Sequence, residues 1–75
     1  MTQLERIYKY MEEHGSITPI EATINIGVID LARSISYMRK HGYDDIIGTP
    51  ESGKNRYGDP VHYYRYSIRK ENGHA

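Results

Sequence analysis

Apolar residues recur along this chain on two rhythms. Leu4, Ile7, Tyr8 and Met11 are spaced i, i+3, i+4, i+7, a single stripe on an α-helix, and predict a first helix over about residues 3–14. Leu31, Ile35 and Met38 repeat that spacing and predict another helix from near Asp30 to His41. Between them, Ile20 and Ile24 predict a short helix from Pro19 to Asn25, with both isoleucines facing the first helix. Beyond Gly42 the rhythm shortens. His62, Tyr64, Tyr66 and Ile68 alternate with Val61, Tyr63, Arg65, Ser67 and Arg69, a strand pattern. Tyr64, Tyr66 and Ile68 are expected to pack on the helices, with Val61 and Tyr63 outside. Residues 43–49 read as a second, more mixed strand, and residues 50–60 as a loop rich in turn residues.

Polar residues mark where the helices start and stop. Thr2 and Glu5 have capping-box spacing, and so do Thr18 and Glu21. In such a box the hydroxyl accepts from the third helical N–H, and the carboxylate accepts from the cap's own N–H. Pro19 takes the first helical position, where no N–H is needed. Ile17 and Ala22 stand where a hydrophobic staple places them. Asp30 is a good cap for the third helix. Gly15 and Gly27 can take the left-handed backbone that ends the first helix and turns the second into the third.

A helix, a tight turn and a second helix form the geometry that presents a helix to the DNA major groove. Three helices followed by a two-stranded antiparallel wing make an α+β fold of the winged helix-turn-helix type. The expected domain spans residues 1–69. Residues 70–75 are expected to be a disordered polar tail.

A chain of 75 residues makes one domain with a small core, which ten isoleucines and eight tyrosines can fill. It has no cysteine, hence neither a disulfide framework nor a cysteine zinc site. His14, His41, His62 and His74 lack metal-ligand spacing, so no metal and no cofactor is expected. Ser16, Ser34 and Asp30 form no recognisable triad with them, and Gly53-Lys54 lacks the rest of a phosphate-binding loop. No enzymatic activity is expected. No apolar run reaches membrane-spanning length and no leader is recognisable, so the expected location is cytoplasmic, with no membrane partner. Formal net charge is zero, yet residues 1–30 carry −3 and residues 31–75 carry +3. The basic half holds the third helix and the hairpin.

Arg33, Ser36, Tyr37 and Lys40 line the side of the third helix opposite its apolar stripe. Such side chains can reach base edges and phosphates, although a merely solvated helix face would look the same. Lys54, Asn55, Arg56 and Tyr57 stand at the wing tip, suited to a phosphate backbone or a narrow minor groove. Thr18 caps its helix beside N–H groups that favour an anion. These nine residues are the candidate DNA contacts. Val61 and Tyr63 are candidates for a homodimer contact.

Five fragments carry a resemblance: Gln3-Leu4-Glu5-Arg6-Ile7, Gly15 to Ala22, Met38 to Tyr43, Lys54 to Gly58, and Tyr64 to Ile68. In this order they resemble small helix-turn-helix (winged-helix) domain proteins of phages and prophages of Gram-positive bacteria. The resemblance covers most of the chain. It implies a winged helix that binds double-stranded DNA, as a small regulator of transcription or an accessory factor in a bacterial host cell. Two stretches depart from the pattern. Asp30 places a negative charge where the third helix begins, and Pro50 with Ser52-Gly53 is expected to break the strand leading to the wing. Zero net charge and the abundance of tyrosine favour an alternative in which the same fold docks on a host or phage protein as an adaptor or inhibitor.

Overall fold

The computed structural model describes residues 2–69. Three helices, α1 (Gln3–His14), α2 (Pro19–Asn25) and α3 (Leu31–Lys40), precede a hairpin of β1 (Ile46–Lys54) and β2 (Pro60–Ile68). The expected tail, residues 70–75, lies outside the described residues.

Both capping boxes form. The Thr2 hydroxyl accepts from the Glu5 N–H at 3.2 Å, and Glu5 accepts from the Thr2 N–H at 2.7 Å. At α2 the corresponding distances are 3.3 and 3.0 Å. Asp30 caps α3 by accepting from the Arg33 N–H at 3.2 Å. Gly15 and Gly27 take φ of +87° and +85°. The turn into α3 has a further clamp, because the Thr23 hydroxyl lies 2.9 Å from the Val28 carbonyl.

One core joins the helices to the base of the hairpin: Ile7, Met11, Ile17, Ala22, Val28, Leu31, Ile35, Met38, Ile46 and Tyr66. Ile20 and Ile24 are not in it; they are 66% and 72% exposed. The staple explains why. Ile17 and Ala22 are both fully buried, so Ala22 fixes the inward face of α2. Ile20 and Ile24 stand two residues to either side, about 200° of helical rotation away, and point outward.

Ile17 also pairs with the hairpin. Its N–H donates to the Tyr66 carbonyl (2.8 Å), and the Tyr66 N–H donates back (2.9 Å). The backbone polar groups of Tyr66 therefore face away from β1. By the β1–β2 register, Gly48–Tyr66, Pro50–Tyr64 and Lys54–Pro60 are all non-hydrogen-bonded pairs. Both prolines thus occupy positions where the ladder needs no donor. Pro50 and Ser52-Gly53 do not break the strand: β1 runs through them to Lys54, and the loop shrinks to residues 55–59. Gly48 lets the Tyr66 ring lie against the backbone; a Cβ there would meet the ring at 3.1 Å.

The strand expected over residues 43–49 starts instead at Ile46. Residues 43–45 are held by the helices. The Tyr43 N–H donates to the Met38 carbonyl (3.0 Å), and its ring packs on Tyr8 with centroids 5.1 Å apart. Tyr8 also donates its phenol to Asp45 Oδ2 at 2.8 Å, and this bond pushes the phenol up to about 12 from the usual 10. The neutral phenol is therefore favoured by folding. That stabilisation is full below pH 10, the unfolded value, and disappears as pH rises through the folded value. Tyr8→Phe should cost about 1 kcal/mol at neutral pH. In urea denaturation the gap between wild type and variant should close with rising alkalinity; a gap constant with pH would show that the hydrogen bond does not contribute.

The two outer tyrosines of β2 exchange their expected places. Tyr64 shares a face with Tyr66 and meets its ring edge-on (87°, centroids 6.2 Å), but it is 51% exposed. It sits two residues nearer the wing tip, beyond the helices that cover Tyr66. Tyr63, expected outside, is half-buried, while Val61 is exposed.

Candidate nucleic-acid interface

Asp30 starts α3, and Leu31, Ile35 and Met38 bury one side of it. Arg33, Ser36, Tyr37 and Lys40 are all exposed, at i, i+3, i+4 and i+7, and form one outward stripe. The Tyr37 ring packs on His41 one turn later, with centroids 3.9 Å apart. This contact orders a flat aromatic beside Lys40.

At the wing tip Lys54, Asn55, Arg56 and Tyr57 are exposed. Asn55 builds the tip. Its side-chain carbonyl accepts from the N–H groups of Tyr57 (2.9 Å) and Asp59 (3.0 Å), and its own N–H donates to the Asp59 carbonyl (3.0 Å). Only its amide NH2 group remains for an outside partner. Thr18 is 3% exposed and its hydroxyl is occupied by the cap. Its side chain offers no outer surface, and it acts by fixing where α2 begins.

The cations of α3 and the hairpin are of two kinds. Arg65 donates Nε to Glu51 (2.8 Å) and a guanidinium N–H to the Ser16 hydroxyl (3.0 Å). The Arg65 hydrogen bond holds the Glu51 carboxyl below the usual carboxylate range. Arg39 donates to the Ile46 carbonyl (3.1 Å), bracing α3 against the open edge of β1. Arg33, Lys40, Lys54 and Arg56 are exposed and, among the described residues, have no acidic partner within ion-pair distance. Three nearby acidic side chains are engaged as well: Asp45 accepts from Tyr8, Glu51 holds Arg65, and Asp30 caps α3.

Sequence reasoning did not find the braces. Arg39 and Arg65 carry no local mark that separates them from Arg33. It also missed an exposed apolar series, Ile20, Ile24 and Ile29. Ile29 lies in a turn, where no periodicity reports exposure. Between the starts of α2 and α3 and the wing runs an open cleft of about 500 Å³, lined by Pro19, Ala32, Pro50, His62 and Tyr64 among others. It is apolar and shallow, and no group of acidic, histidine or cysteine side chains able to hold a metal occurs among the described residues. Among the described residues, no helix is long and apolar enough to cross a membrane.

No curated protein and no solved structure matches this chain. A family match covers residues 2–71, nearly the whole length, and it accords with the three helices and antiparallel hairpin. DNA binding is the general activity that this architecture points to. The chain belongs to the winged helix-turn-helix domain family.

Proposed function

We propose that this domain binds double-stranded DNA, with α3 in the major groove and the wing resting on an adjacent backbone or minor groove. The observation that carries the reading is the exposed, acid-free set Arg33, Lys40, Lys54 and Arg56 on the two elements that a winged helix turns toward a duplex. Arg33, Ser36, Tyr37 and Lys40 would meet base edges and the phosphates beside them. Lys54, the Asn55 amide, Arg56 and Tyr57 would contact backbone at the tip, and Thr18 would set the position of α2. With few cations a single copy would bind weakly, so useful affinity would need a dimer, cooperative loading or a larger complex. The exposed Val61 beside half-buried Tyr63 is the candidate contact between copies. The domain would serve as a small regulator or accessory factor of phage or prophage type, working in the cytoplasm of a bacterial host.

Mobility shift on short duplexes tests this. Arg33→Ala and Lys40→Ala should each weaken binding by about 1 kcal/mol or more. Glu12→Ala, on exposed α1 surface, should leave it unchanged. Equal binding by all three variants would refute the assigned surface.

The second reading, docking on a host or phage protein, draws on a different observation. Ile20 and Ile24 form an outward apolar face on α2, beside a cleft that also contains Val61 and Tyr63. Recovery of one stoichiometric protein partner, without retention on DNA-cellulose, would favour it.

A further inference from the structure

Ile29 is 93% exposed, more than any other large apolar side chain among the described residues. It is the last residue before the α3 cap, so it stands at the leading end of the helix assigned above to the major groove. Asp30 follows it, and no cation appears until Arg33. This tip is poorly suited to phosphate. An apolar side chain gains nothing against a phosphate oxygen, and a carboxylate is repelled by it. The floor of the major groove offers the opposite chemistry. The thymine 5-methyl is its apolar group, and cytosine N4 and adenine N6 are its amino donors.

We infer that the leading end of α3 reads a thymine through its methyl group, with Ile29 packed on that methyl. This rests on the DNA-binding reading proposed above and gives that site a base preference. Asp30 supports it. One carboxylate oxygen caps the helix through the Arg33 N–H, and the other can accept from the amino group of a neighbouring cytosine or adenine. The acidic residue at the start of the helix then works with the duplex, because it faces bases. The phosphates fall to Arg33, Lys40 and the wing tip. Ala32 adds a second small apolar contact, since it is exposed in the first turn and lines the cleft toward the wing.

The test uses the full chain and a pool of random-sequence duplexes. Sites enriched by the wild-type protein are resynthesised with deoxyuridine replacing each thymine in turn, which deletes one methyl and leaves the pairing intact. At one or two positions the wild type should lose about fourfold in affinity, the effect of withdrawing one buried methyl. Ile29→Ala should bind the thymine site more weakly and show little further loss on uracil substitution. Ile29 is almost fully exposed, so the variant should fold as the wild type does, which circular dichroism checks. Enrichment with no uracil-sensitive position would overturn this inference while leaving DNA binding intact. So would equal uracil sensitivity in wild type and Ile29→Ala. Failure to enrich any duplex would overturn the DNA-binding reading and this inference with it.

Discussion

Tyr66→Ala is expected to cost about 3–5 kcal/mol, as emptying a buried aromatic site generally does. A 75-residue domain has about 4–11 kcal/mol in total, so much of the folded population is at risk. The position is exceptional because three parts of the fold meet there. The ring is buried against Gly48, across the ladder, and lies within the core that the helices share. The Tyr66 backbone joins the hairpin to Ile17, the residue preceding the α2 cap. Losing the ring would loosen the wing from the helices and also remove the support beneath α2. Tyr66→Phe keeps the ring and should cost far less. Urea denaturation of the three proteins decides the matter: the alanine midpoint should fall steeply and the phenylalanine midpoint little. Comparable losses in both variants would place the contribution in the hydroxyl and not in the buried ring.

The same residue shows what the amino-acid order discloses and what it conceals. Alternation alone marked Tyr66 and Ile68 as inward, and the two Thr–Glu boxes marked the starts of α1 and α2, because those signals are complete within four residues. The stripe Leu31, Ile35, Met38 is similarly self-contained. Tyr64 has the same face as Tyr66 but lies past the helices, and strand parity carries no information about how far a neighbouring layer extends. In seven-residue α2, two isoleucines four apart suggested a buried face, yet the Ile17–Ala22 staple governed the rotation. Pro50 looked like a breaker because its harm depends on which way its nitrogen points. The β1–β2 register and the pairing of Ile17 with Tyr66 show that parity. At the candidate interface the limit is sharper. Lysines and arginines are legible in the sequence, but whether each is free or bracing the fold is decided by groups distant in the chain, such as Glu51 and Ser16 for Arg65.

That division of the cations yields the largest expected effect on binding. If Arg33, Lys40, Lys54 and Arg56 each neutralise one phosphate, the slope of log affinity against log salt should be about −3.6. Raising salt fourfold would then weaken wild-type binding by about 150-fold. Replacing all four with alanine should bring the slope close to zero and leave only weak contact at low salt. The fold should survive, because all four side chains are exposed and, among the described residues, none makes an ion pair. Arg65 provides the contrast. It is also cationic, but its guanidinium is engaged by Glu51 and Ser16. Arg65→Met should therefore lower stability while leaving the salt slope as it is. A simple dependence on total positive charge predicts no such distinction, with every lost cation reducing the slope equally. Fluorescence anisotropy over a salt series separates the two. If Arg65→Met flattens the slope as much as Lys40→Ala does, the binding is diffuse attraction to a polyanion, and the pairing of α3 with the wing tip is not the surface through which it acts.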